Sequence, residues 1–118
     1  MGEVWIRTIN QGLVRADRVT EIASTRGSVH EDQGYLLKVI VEGKPHVLID
    51  DSYLPGSLVE RLEHARHMED ALLLALDAAA EMDQSVVVCY EQDGERWELA
   101  TVSELAGTLT AQGHSLRA

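Results

Sequence analysis

The chain is 118 residues long, and its 45% hydrophobic and 25% charged residues are typical of one folded domain, expected over residues 1–118. Its formal net charge at pH 7 is −10, so its surface should repel phosphate backbones and anionic lipids. We therefore expect no direct nucleic-acid binding and no membrane binding through a basic face.

Cysteine usage and hydropathy indicate the compartment. The single cysteine, Cys89, cannot form an intrachain disulfide, and it lies in an apolar run where a thiol usually packs as a small hydrophobic group. The N-terminus lacks the apolar core of a signal peptide, and no stretch reaches the roughly 20 apolar residues of a membrane span. These patterns predict a cytoplasmic protein.

Short strands are predicted at the start of the chain. Gly12 is a turn residue available for a positive φ, and Val19 and Ile22 break strict alternation, which predicts a bulge. The polar residues 24–34 contain two glycines and predict an exposed loop. The segments rich in β-branched and aromatic residues, which should form the strands, are 4–9, 13–16 and 19–24. The whole opening, residues 5–22, resembles the start of many small bacterial β-meanders.

Residues 35–50 predict a β-hairpin. Residues 36–41 are apolar on both faces, which is typical of a central strand. Residues 42–45 (EGKP) supply the turn, and Pro45 lacks an N–H group, so it should begin the next strand or lie at a sheet edge.

The best-marked helix follows the second hairpin strand. Ser57 and Glu60 match a capping box, so a long helix should begin at Ser57 and run to about Asp83. At about 100° per residue, its core stripe is predicted as Leu58, Leu62, Ala65, Leu72 and Leu76, with a second, rotated stripe of Met68, Ala71, Leu72, Ala75, Ala79 and Met82. Glu69 falls inside the first stripe, so it needs a partner unless the helix bends.

The end of the chain predicts another hairpin and a short helix. Residues 85–91 (SVVVCYE) read as a buried strand, with residues 96–102 as its antiparallel partner and Ser103 as the cap of the terminal helix. The strand after the long helix can instead cross over to a central position. The fold class is α+β: a mostly antiparallel sheet of about six or seven strands with one long helix packed on it.

The long helix carries too many apolar residues for one small sheet to cover. Leu72 and Leu76 can reach the sheet, whereas Leu73 lies beside them and Leu74 points almost to the opposite side. A second copy of the chain would cover them, so we expect a homodimer with Leu73, Leu74 and Ala78 at its interface. The alternative is that the C-terminal segment folds over them.

The densest cluster of reactive side chains lies in the same helix. Glu60, His64 and His67 have the spacing i, i+4 and i+7, so they share one helical side and are a candidate metal site. The motif is not H-E-x-x-H, and an exposed triad lacks groups to orient its imidazoles. A solvated polar face is the favoured interpretation.

The other candidate residues can be explained by structural roles. Asp50 and Asp51 can form an acid–base pair, but turn chemistry explains them as well, and His46 is expected to be a packed or edge residue. Trp5 and Trp97 are expected to pack in the core rather than act as exposed anchors. The sequence has no phosphate-binding, nucleotide-binding, nucleophile-elbow or C-x-x-C motif, so no cofactor is expected.

These patterns favour a small, acidic, non-enzymatic protein-interaction module that self-associates through its helix and engages an unknown protein partner. Two alternatives stay open. An acidic chain can act as an inhibitor or nucleic-acid mimic of the accessory or phage-defence type, and the helix or Asp50 and Asp51 can serve a metal- or ligand-dependent enzyme.

Overall fold

The computed structural model describes residues 2–26, 35–50 and 58–112. Within these ranges the chain forms seven strands and two α-helices, and a long helix packs on the sheets, which confirms the α+β class. The strands form two sheets rather than the single sheet that was predicted. Several expectations concern residues outside the described part. They are the expectations for Asp51, for Ser57 as a helix cap, for residues 27–34 and for the last residues.

The first sheet has the strand order β2-β1-β6-β7. Its strands are β1 (Val4–Arg7), β2 (Leu13–Arg15), β6 (Val86–Glu91) and β7 (Arg96–Thr101). β6 crosses over to lie parallel to β1, with Val4 opposite Val86, while the other pairs are antiparallel. Val86, Val87 and Val88 are buried, as expected for the strand in the middle of a covered sheet.

The second sheet is antiparallel, with the order β3-β4-β5. Its strands are β3 (Val19–Arg26), β4 (Tyr35–Val41) and β5 (Lys44–Asp50). The register shifts between Val19 and Glu21, which confirms the predicted bulge. Glu42 and Gly43 have φ angles of 53° and 80°, so they make the tight turn, and Pro45 lies on the edge strand β5 as expected.

The connections of β1 differ in one detail from the prediction. Gln11, not Gly12, adopts the positive φ, at 68°. A Cβ atom at Gly12 would lie 3.2 Å from the Thr8 hydroxyl, which is a tight contact that requires a small shift of the Thr8 side chain. A 3-10 turn (Ala16–Arg18) then leads into β3. The N–H group of Ile9 donates to the carbonyl of Val47 at 2.8 Å, which ties the two sheets together.

Helix α1 (Leu58–Ala80) buries a regular stripe with alternating steps of four and three residues. The second predicted stripe is largely confirmed, but Met82 lies beyond the helix and is exposed. The first is wrong at Leu62, which is 52% exposed while Arg61 is 6% exposed. The helix contacts β3 and β4 as well as β1, β6 and β7, so two sheets set its orientation. The buried stripe is Arg61, Ala65, Met68, Leu72, Ala75 and Ala79.

Helix α2 (Val102–Gln112) forms where it was predicted, but Ser103 is not its cap. The hydroxyl of Thr101 accepts from the N–H group of Glu104 at 3.2 Å, and the Glu104 carboxylate accepts from the Thr101 N–H group at 3.3 Å. This reciprocal pair is a capping box. Ser103 instead uses its backbone N–H group to bind the Gln84 side chain at 3.0 Å.

A single core cluster joins both sheets to α1. Ile6, Leu37, Leu72 and Val86 are fully buried in it and come from four different elements. Because the chain has no phenylalanine, aliphatic side chains and Met68 fill most of this space. Among the helices in the described ranges, neither is long and apolar enough to cross a membrane.

Candidate interaction surface on helix α1

The outward side of α1 exposes large apolar side chains. Leu74 is 71% exposed and Leu73 is 61% exposed, and Val59 and Leu62 at the start of the helix are also mostly exposed. Within the described part of the chain, α2 packs against β7 rather than over these leucines. Among the described residues of one copy, Leu73 and Leu74 therefore have no cover, and residues 113–118 of the C-terminal segment lie outside the described part.

Leu73 and Leu74 lie on different flanks of α1, because consecutive helical residues point about 100° apart. Between them runs an acidic ridge, formed by the exposed residues Glu63, Asp70 and Asp77 at seven-residue intervals. A partner placed over the middle of α1 would bury these carboxylates, which costs several kcal/mol for each one left unpaired. The two flanks are therefore separate candidate surfaces.

The first flank forms a groove between α1 and β7, called here the α1–β7 groove. Its volume is about 370 Å³, and Leu74 projects at its side. Ala78 follows Leu74 by one helical turn on the same flank, and it is exposed. The apolar residues that line the groove besides Leu74 are Met68, Ala71, Ala75, Trp97 and Leu99.

Trp97 fixes the geometry of the α1–β7 groove. Its indole Nε1 donates to the main-chain carbonyl of Met68 at 3.0 Å, and its ring lies 5.4 Å from the ring of Tyr90, measured between centroids. Trp97 was expected to be a core residue, but it is only half-buried. Trp97 and Leu99 are two residues apart on β7, so their side chains lie on the same face of the strand. This spacing is the sequence pattern that could have predicted a shared apolar wall.

The rim of the groove is charged. Arg96 binds Glu98 at 3.1 Å, and both side chains are largely exposed, so this ion pair contributes little to stability. His67 and Glu95 complete the rim. The surface therefore has an apolar floor with polar groups around it, an arrangement common at protein–protein contacts.

The second flank carries a larger pocket than the first. Leu73 has Leu76 and Ala80 as its neighbours on this side of the helix, and these two line a pocket of about 540 Å³ with Val4 and Ala16. Leu76 is half-buried, and Arg15 and Asp17 at the pocket are bound to each other at 2.8 Å. Leu73 does not line this pocket, whereas Leu74 lines the α1–β7 groove, so only the first flank joins an exposed leucine to a groove.

The candidate metal residues do not come together. Glu60 and His67 are exposed, whereas His64 is half-buried, with its ring centroid 6.0 Å from that of Tyr35. No group of three or more His, Cys, Asp or Glu side chains within residues 2–26, 35–50 and 58–112 is arranged to hold a metal ion. The geometry therefore adds nothing to the helical spacing that suggested this site.

The remaining candidates are scattered. Asp50 is exposed at the end of β5, and His46 is half-buried on the same strand. Trp5 is half-buried on β1, with the Arg15 guanidinium 5.5 Å from its ring centroid. These side chains lie on separate parts of the two sheets, so they do not form a shared reaction centre.

Comparison with known proteins yields no match, whether with a protein family, a curated protein or a solved structure.

Proposed function

We propose that the protein is a small, non-enzymatic interaction module that self-associates through the α1–β7 groove. The observation that carries this proposal is that Leu74, 71% exposed, stands beside a groove with an apolar floor. A side chain of this size stabilises an association by roughly 1.5–3 kcal/mol when it leaves water.

A second copy of the chain suits this surface because each copy carries both parts of the contact, the projecting Leu74 side chain and a groove that can receive it. In a two-fold dimer, Leu74 of each copy enters the groove of the other, so one favourable contact is made twice. Ala71, Ala75 and Ala78 are small, which allows the two helices to approach closely.

The expected affinity is modest. Association costs several kcal/mol in lost freedom of motion, and the apolar area of the groove is small compared with that of obligate dimers. We therefore expect a reversible dimer that forms at micromolar concentrations rather than a permanent one.

The test is the solution mass of the wild type and of two matched variants, measured by sedimentation equilibrium over a range of concentrations. The wild type should exceed the monomer mass of 13.0 kDa and approach twice that value as concentration rises. Leu74→Glu should remain monomeric, because it places a charge in the groove. Leu73→Glu changes the same residue type one position away, on the other flank, and should still dimerise.

Two results would contradict the proposal. A wild type that stays at 13.0 kDa at every concentration removes self-association. Dissociation by Leu73→Glu together with retention by Leu74→Glu moves the contact to the second flank and removes the groove as its site.

The acidic ridge supports the second half of the proposal, a protein partner with a basic surface. Glu63, Asp70 and Asp77 are exposed and stay outside the groove, so a dimer still presents them. The triple variant Glu63→Gln, Asp70→Asn, Asp77→Asn should lose such a partner while it retains the dimer.

The same ridge bears on the acidic-mimic alternative, and its spacing counts against a close match to DNA. Its carboxylates follow one another at about 10 Å along the helix axis, which is wider than the axial spacing of phosphates on one DNA strand. Displacement of DNA from a basic DNA-binding protein by the wild type, but not by the triple variant, would favour the mimic over the interaction module.

A further inference from the structure

A cavity of about 190 Å³ lies where three strands end. β1 and β6 are parallel neighbours, so their carboxyl ends meet at the same edge of the first sheet. Arg7 and Thr8 from the end of β1 and Cys89 and Tyr90 from β6 line one side. The end of β5, including Leu48, lines the other side, so the cavity lies between the two sheets.

Arg7 is a half-buried cation with little to bind in this cavity. Its guanidinium donates to the main-chain carbonyl of Gln11 at 3.3 Å, which is a long hydrogen bond. Arg15, Arg18 and Arg96 each bind a carboxylate, but none of the ion pairs within the described ranges includes Arg7. Acidic residues outnumber basic ones by 20 to 10, so an arginine left without a carboxylate is unexpected.

The cavity wall beside Arg7 is held by hydrogen bonds of the main chain and of the Thr8 side chain. The N–H group of Thr8 donates to the Gly12 carbonyl at 2.9 Å, and the Gly12 N–H group donates to the Thr8 hydroxyl at 3.0 Å. The bond from Ile9 to Val47 fixes the same loop to β5. A site built this way needs little rearrangement when a ligand enters.

The remaining lining residues suit a small polar molecule with an apolar part. Gln11 and Gln92 offer amide groups, whereas Ile9, Leu48 and Ile49 are apolar. The cavity is smaller than the roughly 300 Å³ at which sites for drug-sized ligands begin, so about ten non-hydrogen atoms would fill it.

We propose that this cavity binds a small carboxylic acid, with the carboxylate held by the Arg7 guanidinium. Arginine is suited to this role because its planar fork can donate two parallel hydrogen bonds to one carboxylate. Asp50 also lines the cavity but already has a partner in the fold, so the proposal is limited to the carboxylate. The inference does not depend on self-association.

Cys89 provides the readout, because it lines the cavity and is the single cysteine of the chain. The rate of its alkylation by iodoacetamide, followed by mass spectrometry at mildly alkaline pH, should fall when a ligand occupies the cavity. At a probe concentration about ten times the dissociation constant, the rate should fall about tenfold.

Three probes with the same hydrocarbon branch separate the charges: leucine, 4-methylpentanoate and 3-methylbutylamine. Leucine and 4-methylpentanoate should protect Cys89, and the amine should not. Stronger protection by leucine than by 4-methylpentanoate shows that the ammonium group adds to binding, and equal protection by the two acids shows that the carboxylate alone is recognised. Protection by the amine alone, or by none of the three, overturns the proposal.

Arg7→Gln should abolish protection by both acids, with each rate compared with and without probe in the same variant. Arg18→Gln is the matched control, since Arg18 is an exposed arginine outside the cavity, and it should retain protection. If Arg7→Gln does not fold, amide chemical shifts of the wild type give the answer. Addition of 4-methylpentanoate should move the signals of residues 7–11, 48–50 and 89–92, and a response elsewhere would refute the site.

Discussion

Glu69 lies on the inward part of α1 because a hydroxyl group meets its carboxylate. The Ser24 hydroxyl of β3 donates to Glu69 Oε2 at 2.5 Å in a partly buried setting. A hydrogen bond to a charged group contributes more than one between neutral groups, and its loss leaves the carboxylate poorly solvated. This contact therefore links β3 to the middle of α1.

We predict that Ser24→Ala lowers the free energy of unfolding by about 1–2 kcal/mol. The measurement is urea denaturation followed by circular dichroism. Thr25→Ala, at the exposed neighbouring position, should change stability by about 0.5 kcal/mol or less. Equal effects of the two substitutions would show that the hydrogen bond to Glu69 contributes nothing.

Cys89 should react slowly at neutral pH. Burial raises the pKa of its thiol, Glu98 and Glu91 raise it further, and Arg7 opposes them. Since the thiolate is the reactive form, the alkylation rate should still be rising with pH above the range in which an ordinary cysteine levels off.

Removing the Glu98 charge favours the thiolate, so Glu98→Gln should lower the pKa of Cys89 and move the alkylation profile to lower pH. Glu81→Gln, at the exposed end of α1, should leave the profile unchanged. A profile that moves to higher pH in Glu98→Gln would contradict the assigned electrostatics.

The sequence predicted the contacts and burial of single residues only where short-range patterns determine them. The stripe of α1 showed that Glu69 needs a partner, but Ser24 is 45 residues away in the chain, so its identity was not visible. The burial of Arg61 in place of Leu62 was missed, because hydrophobicity alone cannot show where two sheets orient a helix. The cavity at Arg7 and Cys89 was missed for the same reason.

At the scale of elements, the capping box of α2 can be tested by two neighbouring hydroxyl residues. Thr101→Ala removes the two hydrogen bonds that the Thr101 hydroxyl makes with Glu104 and should cost about 1 kcal/mol, with faster hydrogen exchange in the first turn of α2. Ser103→Ala should have little effect, because Ser103 binds the Gln84 side chain through its backbone N–H group, which the substitution keeps. A larger loss in Ser103→Ala would restore Ser103 as the cap.

The strands were predicted well where the signal was local. Turn residues and alternation located the hairpin from β4 to β5 and the hairpin from β6 to β7. The division into two sheets was not predicted, because the pairing of β1 with β6 joins distant segments and leaves no short-range signature. The α1–β7 groove depends on that pairing, so it could not be predicted either.

For the whole molecule, net charge should set how the proposed dimer responds to salt. Two copies with a charge of −10 repel each other, while the proposed contact is apolar. Raising the ionic strength from about 0.01 M to 0.15 M shortens the screening length from about 30 Å to 8 Å. The dimer should therefore become tighter, with a dissociation constant several-fold lower.

Sedimentation velocity at fixed protein concentration over a series of sodium chloride concentrations measures this response. Leu74→Glu should remain a monomer throughout the series. A wild-type dimer that weakens as salt is added would show that ion pairs, such as those available to Arg96, outweigh the repulsion between the copies.

The central position of β6 has a consequence for synthesis. β1 leaves the ribosome early, but its parallel neighbour β6 emerges only after the whole of α1. Until then one long side of β1 has no hydrogen-bonding neighbour, and the buried stripe of α1 has an incomplete sheet to pack on. A nascent chain stalled before Val86 should therefore be sensitive to protease, and emergence of β6 should trigger its pairing with β1 and make the nascent chain resistant.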